Sequence, residues 1–254
     1  MQQNPYNQPN YGQPGGGQPR GTVSLDVIGE AWNLVKPSLG QWVVAILIVG
    51  VIAFVCSLVL NLVMMPFAPR QGQQPGPAFF AVALLTRIPL FIIIIALSGG
   101  LIKMGISQVK TGVASLSDLT SVTTVIGPLL VASILVGLIT NIGMLLCIVP
   151  GVIAGLGLCM TQPLIIDQGM SAIDAMKRSW DTCKPHLGSI FVLFIVIWLV
   201  NLVGAIPCGL GLLITYPISI VAISLVYRDL FGIGGVGGQN MGGYNPPPIA
   251  NPNY

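Results

Sequence analysis

Apolar residues are gathered into six long runs, at 41–65, 88–106, 127–147, 150–167, 187–206 and 209–227. A helix that crosses roughly 30 Å of hydrocarbon needs about 17–25 such residues. Each run therefore predicts one transmembrane helix. Pro150-Gly151 and Pro207-Cys208-Gly209 interrupt neighbouring runs and predict tight hairpins between antiparallel helices. Residues 66–87 form the only sizeable loop on one side, and within it 78–85 reads as a short helix lying at the membrane surface. The predicted fold class is an all-α polytopic membrane protein.

A second pattern precedes two of these runs. Residues 25–40, LDVIGEAWNLVKPSLG, align with residues 173–188, IDAMKRSWDTCKPHLG, at a spacing of 148. Asp26, Trp32, Lys36, Pro37, Leu39 and Gly40 match Asp174, Trp180, Lys184, Pro185, Leu187 and Gly188. Leu25, Ile28, Trp32 and Val35 correspond to Ile173, Met176, Trp180 and Cys183, and their i, i+3, i+7, i+10 spacing marks one helical face. Asp174, Lys177, Arg178, Asp181 and Lys184 take the other face. Ser171 with Asp174 three residues on reads as a capping box. Each segment predicts an amphipathic helix of about three turns in the interfacial plane, ended by a proline before the next span.

A weaker middle copy places Leu116, Leu119 and Ile126 on the same face, with Thr123 in the tryptophan position. There Pro128 aligns with Pro185 and Pro150 with Pro207, at a spacing of 57. The expected architecture is a pseudo-threefold repeat of interfacial helix plus transmembrane hairpin. Its units are about 22–107, 108–168 and 169–231, within a six-span domain at 22–231. Gly151 and Gly155 form a small-xxx-small pair, and Gly99, Gly100, Gly143 and Gly157 permit close helix approach.

The flanks differ in kind. Residues 1–21 are rich in Gln, Asn, Pro and Gly with Arg20 as the one charge, and residues 232–254 are similar with none. Neither buries enough apolar surface to offset its ordering entropy, so both are expected to be disordered. Tyr6, Tyr11, Tyr244 and Tyr254 permit weak self-association of these tails; an inert tail is the simpler reading.

Composition agrees with the pattern. Of 254 residues, 54% are hydrophobic and 7% charged, with a mean hydropathy of +0.86. Soluble domains carry about 25% charged residues, so an ordinary globular domain is excluded, as is disorder throughout. No secretory leader is recognised, since residues 1–21 contain no apolar stretch. The net charge of +3 is too small and too scattered for a nucleic-acid surface.

The placement of charge sets the expected orientation. With six spans, Arg20, Lys36, Lys103, Lys110, Lys177, Arg178, Lys184 and Arg228 share one side, opposite only Arg70 and Arg87. The positive-inside rule then puts both termini in the cytoplasm, with the chain in a bacterial cytoplasmic membrane. Arg87, Lys103, Asp167 and Arg228 sit at span ends, where snorkelling suffices.

Candidate chemistry is sparse. The one histidine, His186, and the one glutamate, Glu30, supply no triad, and neither P-loop, HExxH nor GxSxG occurs. Cys56, Cys147, Cys159, Cys183 and Cys208 contain no CxxC pair and read as small packing residues. No catalytic residue, metal site or cofactor is expected. A buried cluster of Asp167, His186 and Arg228 would reopen the enzyme reading. Asn61, Asn141 and Asn201 place an amide in alternate spans. They either line a polar path along the pseudo-threefold axis or make hydrogen bonds between helices.

Residues 148–193 contain Pro150-Gly151, Pro163, Ala175, Ser179 and Trp180. In this pattern the chain resembles the bacterial family named after the membrane domain of glycerophosphoryl diester phosphodiesterases, with its six-span relatives. That resemblance implies a six-span membrane fold. It brings no catalytic residues, because the phosphodiesterase activity of fused members lies in a separate soluble barrel.

The functional expectation is a non-enzymatic integral membrane protein that organises lipids or partner proteins at the cytoplasmic face. Trp32, Lys36, Lys177, Arg178, Trp180 and Lys184 would form that surface, with anionic phospholipids, self-association or membrane proteins as partners. The alternative is a small-molecule or lipid transporter or channel along the pseudo-threefold axis.

Overall fold

A computed structural model describes residues 23–68, 74, 76–206 and 209–232. The tails, Arg70, and Pro207 and Cys208, where a hairpin is expected, lie outside these residues. Among the described residues the chain is helical with no strand. Six helical stretches are long and apolar enough to cross a membrane.

The chain opens with α1 (Val27–Val35), passes a 3-10 turn at Lys36–Ser38, and enters α2 (Leu39–Met64). Next comes α3 (Pro77–Thr111), which runs unbroken through Pro89. The surface helix expected at 78–85 is therefore the first part of α3. The apolar sequence continues from Phe79 into the span, and one proline inside a helix removes only one backbone hydrogen bond. Gly112, in the left-handed region at φ +77°, ends it.

Residues 116–125 depart from the expected amphipathic helix and form two 3-10 turns, Leu116–Leu119 and Ser121–Val125. This stretch is rich in Ser, Thr and β-branched residues, whose side chains compete for backbone partners. Thr120 Oγ1 donates to the Ser117 carbonyl, and Ser121 Oγ donates to the Asp118 carbonyl. The first turn lies directly on Gly100, where a Cβ would sit 2.4 Å from the Leu119 oxygen.

Helix α4 (Ile126–Leu146) is separated from α5 (Ile148–Gly157) by one extended residue, Cys147. The hairpin thus turns at Cys147, and Pro150-Gly151 lies inside the first turn of α5. Backbone N–H groups there have no intrahelical partner, so proline is tolerated. Gly143 and Gly151 bring the backbones together, since a Cβ on Gly143 would lie 2.8 Å from Gly151 Cα. The prolines aligned at a spacing of 57 also differ in place. Pro128 is inside α4, whereas Pro185 is in a turn before α8.

The fourth span is broken after Gly157, and α6 (Thr161–Gln168) completes it. Then α7 (Ala172–Cys183) leads through a 3-10 turn at Lys184–His186 into α8 (Leu187–Ala205) and finally α9 (Leu212–Phe231). Ser171 caps α7 as expected. Its Oγ accepts from the Asp174 backbone N–H and donates to the Asp174 carboxylate.

The core occupies one end of the bundle. Trp42 and Ala45 are buried near the start of α2, Leu129 and Ala132 near the start of α4, and Ile190 and Leu193 near the start of α8. Met104 on α3, Leu164 and Ile165 on α6, and Val221, Leu225 and Tyr227 on α9 complete it from the opposite chain direction. The described Lys and Arg residues other than Arg87 belong to the same end, termed here the charged end. Helix α9 packs against α1, α2, α3 and α8.

Candidate functional site at the charged end of the bundle

Three polar hubs sit among the helix ends. The first is Gln108, fully buried on α3. Its Nε2 donates to the Leu34 carbonyl at 2.7 Å and to Ser38 Oγ at 2.6 Å, and its Oε1 accepts from Trp42 Nε1 at 2.7 Å. One amide thereby ties α3 to the end of α1, the following turn and the start of α2. It also satisfies the indole N–H that a buried tryptophan carries.

The second hub is Asp167, whose side chain is 6% exposed. Its carboxylate forms an ion pair with Lys110 and accepts from Tyr227 OH at 2.9 Å. Tyr227 OH in turn accepts from Gln168 Nε2 at 2.9 Å, and Gln168 Oε1 accepts from Arg178 Nη1 at 2.9 Å. The Arg178 guanidinium lies 5.9 Å from the Phe231 ring centroid, and that ring stacks on Tyr227. The network joins α3, α6, α7 and α9.

The third hub is Arg228. Both its terminal nitrogens reach the Glu30 carboxylate, and its Nε donates to Asp229 Oδ1 at 2.9 Å. The pairing seats α1 on α9. Fork geometry of this kind suits arginine, with its planar array of donors. Together the hubs hold three cations and three carboxylates, so the cluster is neutral overall.

A fourth connection joins α7 to the broken span. Ser179 Oγ donates to the Gly157 carbonyl at 2.8 Å and accepts from the Met160 N–H at 3.2 Å. The Trp180 ring covers Gly157, where a Cβ would fall 2.3 Å from Cε3. Ala175, Ser179, Pro163 and Gly151 are all buried. Four positions of the 148–193 pattern thus lie in packing contacts, while Pro150 is exposed.

The residues anticipated as a surface separate into two groups. Trp32 is 40% exposed, and Lys36, Lys177 and Lys184 are exposed. Arg178 turns inward to Gln168 and Phe231, and Trp180 is half-buried over Gly157. The three asparagines each donate to the carbonyl four residues back in their own helix: Asn61 to Ser57, Asn141 to Gly137 and Asn201 to Ile197. Asn61 and Asn141 are exposed, and only Asn201 also bonds across helices, to Ser219 Oγ at 2.7 Å.

Asp167, His186 and Arg228 do not form one cluster, since Asp167 and Arg228 belong to separate hubs. Lys103 donates to the Ser121 carbonyl at 3.3 Å. Among the described residues, no group of three His, Cys, Asp or Glu side chains is placed to hold a metal ion.

Sequence reasoning did not anticipate Gln108 or Tyr227 and treated Asp167 and Arg228 as anchors. The available signal was the polar content of α9, where Ser219, Ser224, Tyr227, Arg228 and Asp229 interrupt an apolar run. A lipid-facing helix would not hold so many polar groups.

No family model matches the chain, and no solved structure matches it. Curated relatives do match. The uncharacterized protein Rv2560 of Mycobacterium tuberculosis H37Rv is 26% identical over 250 residues, covering 89% of this chain and 73% of the relative. The uncharacterized protein Mb2590 of Mycobacterium bovis matches at the same identity and coverage. With six helices of spanning length, the chain is a multi-pass membrane protein with similarity to these mycobacterial proteins.

Proposed function

We propose that the chain organises lipids or partner proteins at the cytoplasmic face of a bacterial cytoplasmic membrane, without catalysing a reaction. In this reading the charged end is cytoplasmic, and α1 and α7 are interfacial helices of a repeat. The repeat reading is supported by burial. Val27, Ala31 and Val35 of α1 and Ala175, Ser179 and Cys183 of α7 are buried at a constant spacing of 148. Trp42 and Ala45 of α2 and Ile190 and Leu193 of α8 are buried at the same spacing.

The buried stripe shares Val35 and Cys183 with the stripe expected from hydrophobicity and elsewhere lies one position before it. Small residues face the bundle, which leaves the larger apolar ones outward. Leu25 is 49%, Trp32 40% and Ile173 56% exposed. This exposed rim, with Lys36, Lys177 and Lys184 beside it, is the observation that carries the proposal. Apolar side chains enter the headgroup layer, while each lysine near an anionic surface contributes about 1 kcal/mol.

The test is reversal of Lys36, Lys177 and Lys184 to Glu in the full chain. The expected result is loss of phosphatidylglycerol enrichment over phosphatidylcholine in native mass spectrometry, together with loss of cytoplasmic crosslinking partners. Unchanged lipid enrichment and unchanged partners would refute the proposal.

A further inference from the structure

A groove of about 320 Å³ opens between α4 and the break that separates α5 from α6. Ser133, Gly137, Leu158, Cys159, Thr161 and Gln162 line it, and no carboxylate, ammonium, guanidinium or imidazole group does. Ser133 lies seven residues into α4, and Thr161 lies seven residues before the end of α6. At 1.5 Å per residue, both are roughly 10 Å from the charged end. The groove therefore meets lipid at the level where headgroup gives way to acyl chain.

Thr161 is 1% exposed, and its Oγ1 has no hydrogen-bond partner. Most other hydroxyls in the spans satisfy themselves within their helix; Thr215 Oγ1 on α9, which the groove does not reach, also has no partner. Thr86, Ser133, Thr140 and Ser224 each donate to the carbonyl four residues back. For Thr161 the carbonyls in reach along the chain would be those of Gly157 and Leu158. Neither takes it: the first accepts from Ser179 Oγ at 2.8 Å, the second accepts from the Thr161 N–H at 3.1 Å, and Thr161 Oγ1 bonds to neither. The helix break thus leaves a donor unmatched on the wall of a cavity. Buried polar groups are paired as a rule, and an exception calls for a partner.

We propose that this groove binds the acyl-ester region of a glycerolipid from the leaflet at the charged end. The ester carbonyl accepts from Thr161 Oγ1, and one acyl chain lies along Gly137 and Leu158. The volume is at the lower end of the range for ligand sites, about 300–1,000 Å³. The uncharged lining selects against a free ion, acid or amine and suits an ester at this depth. The inference rests on the membrane placement proposed above and is independent of the basic rim.

The experiment uses the full chain in nanodiscs with diacyl phosphatidylglycerol bearing a diazirine near the ester. Matched phosphatidylcholine and ether-linked phosphatidylglycerol probes serve as comparisons. Crosslinks are expected within 132–137 and 158–162, to the same extent for both ester-linked headgroups. The ether-linked probe, which lacks the carbonyl, and Thr161→Val should each lower labelling about fivefold. Gly137→Leu should reduce it to background. A Cβ at Gly137 meets nothing within 4 Å, so the backbone there has room for a side chain that enters the groove.

Labelling that is unchanged in Gly137→Leu, or equal for ester and ether probes, overturns the inference. The lysine-reversal variant is expected to keep its groove labelling, so the groove and the rim fail separately.

Discussion

Helix α4 buries Leu129 and Ala132 near its start, then exposes Ile134, Leu138 and Ile142, and reaches 90% exposure at Leu145 in its last turn. Helix α8 has the same gradient, from buried Ile190 and Leu193 to exposed Trp198, Leu202 and Val203. At the charged end side chains interdigitate around the polar hubs; at the far end the helices meet mainly through glycines. Gly143 touches Gly151, and a Cβ on Gly211 would fall 2.4 Å from the Gly204 carbonyl oxygen. The difference follows from the solvent. Lipid tails are as apolar as leucine, so the far half gains little by hiding its leucines from them. The polar groups of the charged end have no substitute partner in lipid and must meet one another.

The comparison can be broken at three points. Leu225→Ala, at a fully buried position on α9, should lower stability by about 2–5 kcal/mol. Leu138→Ala, at the half-exposed far end of α4, should change it by less than about 0.5 kcal/mol. Detergent-unfolding curves of the purified full chain measure both, and equal effects would abolish the distinction.

Next, Asp167→Leu should cost about 3 kcal/mol by stranding Lys110 and Tyr227. Adding Lys110→Met should recover much of that loss, as read from the coupling in a double-mutant cycle. Simple additivity would mean that the pair contributes nothing as a pair.

The smallest effect is at a single methyl group. Gly157→Ala should cost about 1–3 kcal/mol by driving into the Trp180 ring. Gly50→Ala on α2 meets nothing within 4 Å and should be neutral or slightly stabilising. Thermal melts of the two variants side by side make the check.

Hydropathy located five of the six long apolar helices to within a few residues, because membrane thickness sets a length; the second, expected at 88–106, begins eleven residues earlier at Pro77. The departures have local causes. At 116–125 the hydroxyl-rich sequence favours 3-10 turns, and at Pro150 a helix start tolerates proline. In α7 the seam selects for size: Ala175 and Ser179 fit under the broken span where Ile173 would not. The hubs were not legible for a different reason. Lys110 meets Asp167 across 57 residues, Trp42 meets Gln108 across 66, and Glu30 meets Arg228 across 198. Periodicity reports which face of a helix is apolar, not which distant helix that face will find.

The longest of those separations bears on how the protein is made. Helix α1 buries Val27, Ala31 and Val35, and its Glu30 is gripped by Arg228 of the last span. At translation rates of about 5–20 residues per second, α1 waits on the order of 10–40 s for that partner to be synthesised. A ribosome that stalls anywhere before α9 leaves α1 unseated, with its binding stripe open to whatever surveys the membrane for unfinished chains. The closing of α1 on α9 therefore reports that synthesis has passed the sixth of these helices.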